Sequence, residues 1–110
     1  MNGIRQYTTP TVPLEVEDVL IADKEVRVTF TFQDNAYHTE IITFDNADIT
    51  MTESETDTFI DVPLTQEQTA LFKSGSTVSI QVNWKSNGKR CATDTAYVPV
   101  TENLLKEIWE

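Results

Sequence analysis

Strand-period alternation is the feature that most limits what this chain can become. Val26, Val28, Phe30 and Phe32 alternate with Arg27, Thr29 and Thr31. Successive side chains of a strand point to opposite faces, so such a run buries one face and wets the other. Val78, Ile80, Val82 and Trp84 repeat the pattern against Ser79, Gln81 and Asn83, and Ile60, Val62 and Leu64 do so more briefly. The residues are β-branched and aromatic, which suits a pleated surface.

The intervening segments extend the reading. Asn87-Gly88 supplies the two positive φ angles of a type I′ turn, which pairs Trp84 with Cys91, Val82 with Thr93 and Ile80 with Thr95. Cys91, Thr93, Thr95 and Tyr97 then share the inner face. Val98 and Val100 have the opposite parity, so either a β-bulge near Tyr97 reconciles them or they serve another surface. Val12, Leu14 and Val16 form a further strand, placed at a sheet edge by Pro13. Tyr37 to Phe44 is a strand of ambiguous parity. Asp45-Asn46-Ala47-Asp48 reads as a turn before Ile49 and Met51. About seven short strands separated by turns predict an all-β, two-sheet antiparallel sandwich. The expected core is Leu14, Val16, Val26, Val28, Phe30, Phe32, Ile60, Val62, Leu64, Phe72, Val78, Ile80, Val82 and Trp84.

Two helical pieces interrupt the strands. Thr65 and Gln68 form a capping box, which opens a short helix through Phe72 that ends near Gly75. Leu104, Leu105, Ile108 and Trp109 lie three and four apart, on one face of a C-terminal helical tail. Nine residues are too few for an isolated helix, so the tail has to dock, either on its own domain or on a partner. The expected organisation is an N-terminal arm over 1–10, a β-sandwich over 11–101 and an amphipathic tail over 102–110.

Charge narrows the partners. The net charge is −10, and no Lys or Arg occurs from Val28 to Phe72. That stretch holds Asp34, Glu40, Asp45, Asp48, Glu53, Glu55, Asp57, Asp61 and Glu67. Nucleic acid and anionic membrane surfaces both need cations, so neither is an expected partner. The acidic stretch is either a solvated face or a contact surface for a basic partner or a cation. No run approaches the roughly 20 apolar residues of a membrane span. The start of the sequence lacks the apolar run of a signal peptide. The expected compartment is the cytosol, or a particle assembled there.

Reactive groups are sparse. The sequence has one histidine, His38, and one cysteine, Cys91. A nucleophile pair would need them within hydrogen-bond reach, and their spacing does not promise that. One Cys and one His cannot make a zinc site, and Gly3, Gly75 and Gly88 make no phosphate loop. Asp45, Asp48, Glu53, Glu55 and Asp57 are a possible calcium cluster by composition, but they do not follow an EF-hand loop. The expectation is no enzyme, no cofactor and no metal. Trp84 is expected in the core. Leu104, Leu105, Ile108 and Trp109 are the candidate partner-binding residues. The alternative is a carbohydrate-type ligand site built on the aromatics Tyr37, Phe59 and Tyr97.

Several segments carry a resemblance through their order: Thr9-Pro10-Thr11-Val12-Pro13-Leu14-Glu15-Val16, Val26-Arg27-Val28-Thr29-Phe30, Leu64-Thr65-Gln66-Glu67-Gln68-Thr69, Val82-Asn83-Trp84 with Asn87-Gly88, and Glu102-Asn103-Leu104-Leu105. Together they resemble small uncharacterised proteins encoded in prophages of Gram-positive bacteria, among genes for virion assembly. The layout is also similar to the immunoglobulin-like N-terminal domain of phage upper-baseplate proteins. The resemblance implies an immunoglobulin-like sandwich acting as a structural or assembly module of a phage or prophage particle, in its tail, baseplate or head-tail region. Its implied partners are other virion proteins or a second copy of itself, and it implies no catalytic residues. The strand from Tyr37 to Phe44 is more apolar than that group leads one to expect.

Overall fold

A computed structural model describes residues 3–33 and 39–109. Nine strands and one short helix are present among them, in the order β1 (Ile4–Arg5), β2 (Thr11–Val16), β3 (Val26–Gln33), β4 (Thr39–Phe44), β5 (Thr50–Glu53), β6 (Thr58–Pro63), α1 (Gln66–Leu71), β7 (Thr77–Ser86), β8 (Lys89–Ala92) and β9 (Ala96–Thr101). The larger sheet runs β1-β9-β7-β3-β4, with β8 also on β7, and the smaller runs β2-β6-β5. Every pairing is antiparallel except β1 with β9. The chain crosses between sheets after β1, after β2, after β4 and after β6, so the two layers are built together.

The expected core is largely the observed one. Val26, Val28, Phe30 and Phe32 on β3, Val78, Ile80 and Val82 on β7, and Ile60 and Val62 on β6 are all buried in one continuous cluster. Phe44 closes on Phe30 edge to face, with ring centroids 5.2 Å apart. Phe72, just past α1, meets Phe32 in the same way at 4.7 Å. Such offset contacts suit the aromatic quadrupole. Ile4, Val12, Ile21, Phe44 and Val100 join the core as well. Leu14 and Trp84 differ from expectation, being only partly buried at its margin.

Turn chemistry held where it was local. Asn87 and Gly88 have φ of 52° and 77°, and Trp84 faces Cys91 across the β7–β8 hairpin. Pro13 sits on β2, an edge strand of the smaller sheet. Thr65 and Gln68 cap α1 reciprocally, and α1 carries the chain from one sheet to the other.

The returning strand departs from the simple register. Val82 exchanges bonds with Thr93, whose hydroxyl accepts from the Val82 N–H at 3.1 Å and whose N–H donates to the Val82 carbonyl at 2.9 Å. Pairing then resumes one residue out of step, with Ile80 opposite Ala96 and Val78 opposite Val98. The extra residue lies between Thr93 and Ala96, earlier than the expected bulge near Tyr97. It turns Thr95 and Tyr97 outward and brings Val98 and Val100 in, because a one-residue slip exchanges the two faces of a strand.

Both ends of the sequence also differ from expectation. The stretch read as an N-terminal arm is laid into the domain from Gly3 onward. Ile4 is fully buried opposite Val100, and the Gln6 side chain, also buried, donates to the Phe72 carbonyl. Gly3 has φ of 148°, and a Cβ there would meet the Pro99 carbonyl oxygen at 3.1 Å. The tail is not helical over 102–109. Side chains capture its backbone instead: Asn103 accepts the Leu105 N–H at 3.1 Å, and Gln66 takes both polar groups of Trp109. So short a segment cannot recover the cost of helix nucleation against such partners.

Candidate interaction surfaces

The smaller sheet presents acidic groups to solvent. Glu15 and Asp61 occupy outward positions of β2 and β6, with exposed Phe59 directly opposite Glu15. Asp57, at the adjoining hairpin, accepts the Asp18 N–H at 2.9 Å, and that bond above all holds its carboxyl below the usual range. Burial, and then the charge of Asp57, raises Glu15. The cause is simple: an N–H donor favours a carboxylate, while desolvation and a like charge oppose one.

The residues weighed for calcium have local work to do. Asp45 caps a 3-10 turn over Asn46–Asp48, and Asp48 returns a bond to the Asp45 N–H at 3.0 Å. Glu53 accepts the Ala22 N–H at 3.2 Å. These carboxylates stitch loops to backbone donors, and among the described residues no three potential ligands converge on a cation site. Cys91 is partly buried opposite Trp84. His38 and Tyr37 lie outside the described residues.

On the opposite side of the molecule, the outer face of the larger sheet carries a concavity of about 390 Å3 whose lining includes Arg27, Lys85, Arg90, Glu25 and Trp84. Register explains the gathering. Arg27 stands opposite Asn83, and Lys85 opposite Arg90. Glu25 reaches Arg27 at 3.1 Å and Lys85 at 3.6 Å. Arg90 donates through Nε to Asn83 at 3.1 Å. Lys24, Arg27, Lys85, Lys89 and Arg90 are five of the eight cations in the sequence, and all five come from the start of β3 and the β7–β8 hairpin or the residues beside them. Sequence reasoning saw the cation-free stretch but missed this counterpart. The signal was two short basic clusters sixty residues apart, which only strand pairing brings together.

The tail forms the third surface. Leu104 is 93% exposed and Trp109 72%, and Leu105 and Ile108 are exposed to lesser degrees. The segment is nonetheless held in place. Arg5 donates to the Glu102 carbonyl at 2.7 Å, and Lys106 pairs with Glu102 at 2.6 Å. The Gln66 amide donates to the Trp109 carbonyl at 2.7 Å and accepts the Trp109 N–H at 2.8 Å. The backbone is anchored while the apolar side chains face water. Gln66 was not singled out from the sequence, where it reads only as the first residue of a capped helix.

Of the aromatics weighed for a ligand site, the two among the described residues, Phe59 and Tyr97, do not share a face. Phe59 points out of the smaller sheet, and Tyr97, opposite Ser79, points out of the larger. Comparison with protein-family models, curated proteins and solved structures returned no match. Among the described residues no helix is long and apolar enough to cross a membrane.

Proposed function

We propose that this chain is a non-enzymatic, immunoglobulin-like structural module of a phage or prophage particle, working through protein–protein contacts. The observation that carries the reading is the tail: an anchored backbone presenting Leu104, Leu105, Ile108 and Trp109 to solvent. Ordering the segment in advance lowers the entropy lost on binding, and exposed aromatic and aliphatic side chains are effective interface anchors. The strand order supports the immunoglobulin-like part. β9, β7 and β3 correspond to strands G, F and C, with β4 in the C′ place, and β2, β6 and β5 correspond to B, E and D. The resemblance noted above supplies the particle, with other virion proteins as the partners.

Two experiments test this. Genes for capsid, tail or baseplate proteins should flank the coding sequence; a metabolic neighbourhood argues against the reading. The chain should co-purify with the products of those neighbours. Replacing the tail side chains (Leu104→Ser with Trp109→Ser) should abolish co-purification without lowering the melting temperature. Retained co-purification would remove the tail from the contact.

A further inference from the structure

We propose that the basic concavity on the larger sheet receives the acidic outer face of the smaller sheet of a second copy, so that the chain associates head to tail. The two surfaces are complementary in sign and in form. One is a hollow lined by Arg27, Lys85, Arg90 and Trp84. The other centres on Phe59, 39% exposed, flanked by Glu15 across the strand pair and by Asp61 two residues along β6. A phenyl ring seated among guanidinium groups gains cation–π attraction, and its flanking carboxylates meet cations. Glu25 is shared between Arg27 and Lys85, so the hollow keeps a positive excess.

The second copy is the occupant because its own carboxylates supply what the hollow lacks. The chain as a whole carries a net charge of −10. That net charge does not forbid self-association. The molecule is 22 Å across its thinnest dimension, and the Debye length at physiological salt is about 8 Å. Charges on the far side are screened, while those in contact are not. The sheets lie back to back, so hollow and knob occupy opposite faces of one copy. The contact is therefore heterologous, and each added copy offers a fresh face: the result is an open row or a closed ring, not a two-fold dimer.

Sedimentation velocity with mixed variants tests the idea. The full chain should form species larger than a dimer as its concentration rises at about 0.15 M salt, and fewer of them at about 0.5 M, where the shorter Debye length weakens the attraction between the two faces. K85E/R90E destroys the hollow and keeps the knob; F59S/D61K does the reverse. Each alone should associate at least about tenfold more weakly than the parent, and their mixture should stop at a one-to-one dimer. Melting curves check that both variants fold. A parent that stays monomeric at every concentration overturns the proposal, even if the hollow then binds a poly-glutamate peptide. So does a mixture that fails to dimerise, or a variant that assembles like the parent. L104S/W109S should assemble normally, so this contact and the tail contact fail independently.

Discussion

Thr69 treats Thr8 as a neighbouring strand would. Its hydroxyl accepts the Thr8 N–H at 3.0 Å and lies 2.9 Å from the Thr8 carbonyl, to which it donates. Thr69 is fully buried in α1, and these partly buried bonds tie the N-terminal segment to the helix. Thr69→Val keeps the shape and removes both bonds. It should cost about 1–3 kcal/mol, the range for stranding partly buried backbone groups. Urea unfolding measures it, and Thr69→Ser should recover much of the loss. A valine variant as stable as the parent would show that this tie contributes little.

Phe30→Ala should cost about 3–5 kcal/mol, because Phe30 is fully buried and its ring meets Phe44. Ile41→Ala, at a 64% exposed position of an edge strand, should fall within about 0.5 kcal/mol of the parent. Trp84→Ala should fall between the two, since Trp84 is only partly buried. Thermal or urea melts of the three variants give the ranking, and a different order would refute the assigned core.

Gln66→Ala should free the tail without unfolding the domain. The Trp109 amide loses its acceptor, so its hydrogen exchange should speed up while core amides of β3 and β7 stay protected. Unchanged exchange at Trp109 would mean that the tail is held by something other than Gln66.

Glu15 and Asp57 should move stability with pH in opposite senses. Raised Glu15 binds more protons folded than unfolded, so its contribution to stability falls as pH rises from the ordinary glutamate value through its raised one. Asp57 is depressed, chiefly by the Asp18 N–H. Its contribution is present above the ordinary aspartate value and is lost as pH falls through the lowered one. Asp57→Asn removes the charge beside Glu15, so an NMR titration should find Glu15 shifted down toward its ordinary value. A Glu15 titration that stays put would assign its shift to burial and the neighbouring Glu17 charge, not to Asp57.

The legible part of this fold was the part written in short range. The period-two runs on β3, β6 and β7 named their buried faces because side-chain direction in a strand follows from sequence parity alone. Asn87-Gly88 and the Thr65–Gln68 box named their turns because the bonds involved span only a few residues. The slip between Thr93 and Ala96 was visible as a parity conflict, but its place was not, since Thr93 binds Val82 in preference to continuing the ladder.

Other features depend on contacts that no local pattern encodes. The Gly3–Thr8 segment has little alternation, and it is ordered by β9, Phe72 and Thr69, which lie sixty or more residues away. The tail has good helical spacing yet is not a helix, because Gln66 offers its backbone a partner. The basic hollow exists only because β3 pairs with β7 and β7 turns into β8. By itself the sequence determined the two-layer class of this protein and most of its core, because burial of alternating apolar side chains is dictated by parity. Tertiary structure alone decided the docking of both ends and the grouping of opposite charges on opposite faces. Those outcomes are set by which distant strands become neighbours, and that choice is made by packing of the whole chain.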